Sequence, residues 1–225
     1  MTFSIVGSCE RTGMVGVAIT TSSICVASRC PWVRAGVGAV ATQNITDPSL
    51  GPQLLDQLAN GVGPTSALAS LMEQQAHADF RQVTAVDSAG NTAHFTGAHI
   101  LGRHSVSEGR RCVAAGNLLA TTVVTQAMTE SFAQGHELHL AERLLQALQS
   151  GVAAGGEEGP THSSGIKVAN QHSWPLVDLR IDWSDGDPVA ELVQLWHAYE
   201  GEMDAYTQRA INPADAPSYG VPGDP

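Results

Sequence analysis

The sequence predicts an α+β fold of the αββα type, two mainly antiparallel sheets stacked between helical layers, because its helices come in pairs and strand signals precede each pair. A doubly wound fold is disfavoured. Single helices do not alternate with single strands, and no GxGxxG follows the first strand.

The first strand runs over residues 3–7, and Glu10-Arg11-Thr12-Gly13 turns the chain into a second, where Val15, Val17 and Ile19 alternate with Gly16 and Ala18. Residues 37–42 are small or β-branched on both faces, which suits a central strand covered on both sides. Two helices follow, with Leu54, Leu55 and Leu58 on one and Leu68, Leu71 and Met72 on the other, each behind a proline. Residues 82–86 and 92–95 flank a hairpin turn, and residues 111–115 are a further short strand. The second helical pair carries Val124, Ala127, Met128 and Phe132, then Leu140, Leu144, Leu145 and Leu148, closed by Gly151. Val177, Leu179 and Ile181 alternate with charged residues in a half-wet strand, and Asp187-Pro188 starts one last helix extending to Met203. Residues 1–211 are expected to form one domain, followed by an extended, proline-rich tail over 212–225 with Tyr219 as its anchor.

Eleven basic against 22 acidic residues give a formal charge of -11, which argues against nucleic acid or anionic membrane as a partner. Neither an export signal nor an apolar run long enough to span a membrane is legible, so a cytoplasmic protein is expected. Cys9, Cys25, Cys30 and Cys112 show no CxxC spacing and read as reduced thiols.

The blocks TFSIVG, RTGMVGVAI, PWVRAGVGAVATQ, FTG, AAGNLLA, VDLRIDW and DPVAEL, in that order, resemble the bacterial family known as domain of unknown function 1028. The resemblance implies an N-terminal-nucleophile (Ntn) hydrolase scaffold, and with it cleavage of a small amide, imide or enamide in nitrogen catabolism. Two stretches depart from the commoner family pattern, TTSSICVAS after the first hairpin and the loop GEEGPTHSSG.

Removal of Met1 exposes Thr2, whose α-amine, with an ordinary pKa of about 8, can take the proton of its own hydroxyl. Thr2 is therefore the candidate nucleophile. The strand ends at Gln43 and Asn117 are expected to supply the oxyanion donors, and Ser22, Ser23, Arg34 and Asn44 to contact a small-molecule substrate. Each also has an ordinary reading as a turn, strand-end or ion-pair residue. His94, His99 and His104 recur every five residues without matching a zinc motif, and His136 and His139 form a second pair. No metal or cofactor is expected. GxSxG and a phosphate-binding loop are both missing, a homo-oligomer is anticipated, and a non-catalytic binding scaffold and a histidine-based metal hydrolase are the alternatives.

Overall fold

The computed structural model describes residues 2–223. Its chain order is β1 (Thr2–Ser8), β2 (Val15–Thr21), β3 (Pro31–Arg34), β4 (Gly38–Asn44), α1 (Leu50–Ala59) and α2 (Pro64–Glu73). There follow β5 (Arg81–Asp87), β6 (Thr92–Thr96), β7 (Ser105–Gly109), β8 (Cys112–Asn117), α3 (Val124–Gln134) and α4 (Leu140–Ala153). The chain closes with β9 (Ser163–Ala169), β10 (Val177–Ile181), α5 (Pro188–Glu200) and α6 (Met203–Ile211).

The strands form a six-stranded sheet, β10-β9-β2-β1-β8-β7, and a four-stranded sheet, β3-β4-β5-β6. Neighbours pair antiparallel throughout. Side chains alternate across each strand, so β1 sends Phe3 and Ile5 outward to the helices and Val6 inward to the other sheet. Outside the large sheet, Met128, Phe132, Leu144, Leu148, Leu192 and Trp196 of α3, α4 and α5 complete one core. Outside the small sheet, Leu54, Leu58, Leu68 and Leu71 of α1 and α2 cover Val40, Val83 and Ala85. Between the sheets Val6, Val15, Val17 and Val113 meet Ala39, Ala41 and Val86. These are the four layers of an αββα sandwich, and burial on both faces explains why β1 and β2 lack hydrophobic alternation.

Three strands escape the sequence pattern. β3 is four residues long, β7 is mostly polar, and β9 opens Ser-Ser-Gly although it lies between β2 and β10. The long final helix is in fact two. Asp187 caps α5 through the backbone N–H groups of Val189 and Ala190, both at 3.0 Å. The helix ends at Glu200, before Gly201, and α6 returns so that Tyr206 stacks on Tyr199. The tail is not simply extended either: residues 213–215 make a helical turn, Arg209 donates to the Pro217 carbonyl, and its guanidinium lies 3.8 Å from the Tyr219 ring. Met1, Asp224 and Pro225 lie outside the described residues. No described helix is long and apolar enough to cross a membrane.

At Gly38 β4 lies tight against β5, and an added methyl group would run into the Val86 carbonyl oxygen. Backbone of a paired strand cannot step aside as a side chain can. Gly38→Ala should therefore lower the free energy of unfolding by about 1–3 kcal/mol in urea titrations, and an unchanged midpoint would contradict this packing.

Candidate functional site

The inter-sheet layer changes character along its length. Toward the start of β1 its apolar side chains give way to Thr2, Ser4, Thr21, Gln43, Gln82 and Asn117, all buried. Strand alternation places them there: Thr2 and Ser4 share the inward face with Val6, and Thr2 lies opposite Thr21 on one side and Asn117 on the other. Thr2 Oγ1 is 3.0 Å from Thr21 Oγ1.

Three carboxamides join the two sheets. Gln82 Nε2 donates to the Gly116 carbonyl at 3.3 Å, an atom that can only accept, so Gln82 turns its Oε1 toward its neighbours. That oxygen accepts from Gln43 Nε2 at 2.8 Å and from Asn117 Nδ2 at 3.2 Å. Gln43 Oε1 in turn accepts the Ser4 hydroxyl proton at 2.7 Å. One carbonyl thus sets the direction of the whole chain of bonds. Asn117 Oδ1 is left buried without a hydrogen-bond partner among the described residues.

The consequence for the expected oxyanion donors is specific. Gln43 and Asn117 each give one side-chain N–H to Gln82, and the backbone N–H groups of Ile45, Leu118 and Leu119 are bonded to the carbonyls of Phe80, Leu101 and Arg103. Asn117 therefore presents its Oδ1 acceptor beside one remaining side-chain N–H.

Glu157 was not singled out by the sequence. It lies in the GEEGPTHSSG loop, which pairs back through an isolated bridge to Leu119, two residues beyond the Asn117 partner of Thr2. Its side chain is buried, the residue being 7% exposed, and neither oxygen makes a well-formed hydrogen bond among the described residues. Burial raises its pKa to about 8, partly opposed by the nearby Ser22 backbone N–H. Ser22 follows Thr21, so the carboxyl and Thr2 share one end of the sheet. At neutral pH Glu157 is chiefly a carboxylic acid, able to donate. A buried glutamate inside a glycine-rich loop has no periodic signal, and the only hint was the loop's departure from the commoner pattern.

The remaining expected residues divide. Ser22 is half-buried beside Thr21, and exposed Ser23 takes a bond from Arg29 Nη2 at 2.6 Å. Arg34 is not brought to the cluster: it pairs with Gly38 at the opposite end of β4 and makes a 2.8 Å ion pair with Asp56. Asn44, at φ 72°, fastens two loops through the Phe80 carbonyl and the Leu101 N–H. The histidines go separate ways, His94 to Glu108, His99 onto Phe80, and His104 to the Gly102 carbonyl. His136 meets Glu137, while His139 caps α4 and stacks on Trp196. Among the described residues, no three His, Cys, Asp or Glu side chains gather as metal ligands would.

Fold and cluster together define a four-layer sandwich with a polar inter-sheet site at the start of its first strand. The chain belongs to the DUF1028 family, described as a family of unknown function, whose model matches residues 2–192. It is similar to a Silicibacter pomeroyi protein of solved crystal structure assigned to that family model, with TM-score 0.84, 30% identity, and coverage of 92% of this chain and 94% of that one. A fainter likeness, TM-score 0.38 at 11% identity over 92% of this chain and 97% of the other, links it to Anbu, an ancestral beta-subunit from Yersinia bercovieri. No curated protein matches the sequence.

Two predictions follow from the geometry. Gln82→Leu strands two buried amide donors, and at about 1–3 kcal/mol each the loss on urea unfolding should reach about 2–5 kcal/mol. A loss below about 1 kcal/mol would mean the network bears little load. Because the folded Glu157 holds its proton from about pH 4.5, the ordinary value, to about pH 8, where the unfolded chain has lost it, wild-type stability falls across that window. The Tm of Glu157→Gln relative to wild type should therefore climb between those limits and level off above them; a flat difference would show that the folded carboxyl is ionised throughout.

Proposed function

We propose that this chain is a cofactor-free amidohydrolase of the Ntn type, in which Thr2, freed of Met1, attacks a small amide, imide or enamide. The observation that carries the reading is the placement of Thr2: its hydroxyl faces the inter-sheet cluster, bonded to Thr21, at the end of the sheet that also holds a protonated carboxyl. Ser4, the other hydroxyl of the motif, has its proton committed to Gln43.

In the reaction, Thr2 Oγ1 bonds to the carbonyl carbon while its proton passes to the α-amine of the same residue. The resulting ammonium protonates the leaving nitrogen as the C–N bond breaks, and an ester to Thr2 remains. Water then attacks that ester, the amine takes its proton and returns it to Thr2 Oγ1 as the ester C–O bond breaks, and the acid departs. With one side-chain N–H each of Gln43 and Asn117 engaged by Gln82, the Ser22 N–H and the Glu157 hydroxyl are the groups proposed to meet the developing oxyanion, beside the second Asn117 N–H. Asn117 Oδ1 is placed to accept from a substrate N–H. The same reading assigns the reaction to the cytoplasm, to nitrogen catabolism, and to a homo-oligomer.

A non-catalytic scaffold is the second reading, favoured by how completely Gln43 and Gln82 satisfy each other. Wild type, Thr2→Ala and Thr2→Ser assayed on a panel of small amides, with the mass of each intact chain, separate the two. The hydrolase reading expects loss of Met1, a fall in kcat of at least about 10³-fold for alanine, and partial activity for serine. Undiminished turnover by Thr2→Ala, or an active protein that keeps Met1, would overturn it.

A further inference from the structure

The far end of the large sheet, away from Thr2, carries a second site of opposite character. There the β1–β2 and β7–β8 turns meet the connection between α3 and α4 around a cavity of about 440 Å³. Four arginines line it, Arg11, Arg110, Arg111 and Arg143. The whole chain has 11 basic residues and a charge of -11, so their convergence is not a background of positive surface.

Arg143 is the decisive residue. It is 8% exposed, and its only side-chain hydrogen bond among the described residues runs from Nε to the Phe132 carbonyl. Its guanidinium carbon lies 3.5 Å from the Phe132 ring centroid, and no carboxylate forms an ion pair with it among the described residues. Its terminal NH2 groups make no bond there. A buried cation is ordinarily paired or bound to a counter-ion, because desolvation otherwise costs several kcal/mol. The end of α3 offsets part of that cost through its carbonyls, yet it occupies only one side of the group.

The surrounding charges do not complete the pairing. Arg110 meets Glu10 at 2.6 Å, Glu137 is engaged by His136, and Arg11 donates to the Glu137 backbone carbonyl at 2.7 Å. Arg111 is held by the Ala89 and Ser88 carbonyls, its Nε buried without a hydrogen-bond partner among the described residues. Four arginines thus share a lining with two glutamates. Cys9 registers the same field: burial raises its pKa, but hydrogen bonds at Thr12 and the charge of Arg11 bring it below the ordinary thiol value.

We propose that this cavity binds a small metabolite through an oxyanion, phosphate or carboxylate, seated on the open fork of Arg143. Guanidinium presents parallel N–H donors that match either group, and the volume leaves room for the body of a molecule beyond its anionic head. The site is independent of Thr2 and of whether the chain is a hydrolase.

The test uses the full chain dialysed free of multivalent anions, with inorganic phosphate and succinate as probes and sodium chloride at matched ionic strength as the control. Thermal melts and titration calorimetry should show saturable binding of at least one probe, raising Tm by about 5–10 °C at a hundredfold excess over Kd. Which probe binds identifies the head group. Arg143→Met should abolish that shift while melting, without anion, at or above the wild-type temperature, since it removes an unpaired buried charge. Arg11→Gln, a change at the exposed rim, should fold and bind at least about tenfold more weakly, and it decides the matter if Arg143→Met does not fold. If neither probe exceeds chloride, or if these variants bind like wild type, the proposal is wrong.

Discussion

Three carboxamides in a row hold the two sheets at the distance that everything else at this end requires. The Gly116 carbonyl fixes Gln82, Gln82 fixes Gln43 and Asn117, and Gln43 fixes Ser4. Such a network is worth having only when it is nearly complete, because a buried amide without its partner costs more than the bond contributes. Here every carboxamide nitrogen and oxygen of the three has a bond among the described residues except Asn117 Oδ1, which lies on the strand position paired with Thr2. The architecture and the chemistry meet at one atom whose hydrogen-bonding need the described residues leave unmet.

Much of the fold was legible because its signals are redundant. The strand signals of β1 and β2 and the leucine stripes of α1, α2 and α4 each follow their own spacing, and the order of strands and helix pairs pointed to stacked sheets between helical layers. What stayed hidden was what depends on partners distant in sequence. β9 reads as polar because Ser163 and Ser164 are used to tie loops, through Ser23, Val26 and Pro188. The break between α5 and α6 turns on Gly201 and on a tyrosine stack that no local pattern announces.

The site was legible by position more than by role. Thr2, Gln43 and Asn117 do gather at one end, and the amide chain leaves Asn117 with an unpartnered Oδ1 as well as one N–H not given to Gln82. Gln82, the hub, is a lone glutamine in a strand, and Glu157 owes its altered acidity to burial, which a sequence does not display. Arg34 shows the converse. A single cation near a small-residue strand drew attention, and it lies at the wrong end, paired with Asp56.

The large sheet has a buried polar cluster around Thr2 at one end and a group of arginines at the other, two chemically distinct regions joined by β1 itself. The account's central claim is that Thr2 reacts through its own oxygen in this setting. It is tested most directly by treating the purified chain with an acylating β-lactone and mapping the adduct by peptide mass spectrometry. The account predicts a single ester on Thr2, formed only on chains that have lost Met1. Labelling of Ser4, Ser22 or a cysteine with Thr2 untouched would contradict it.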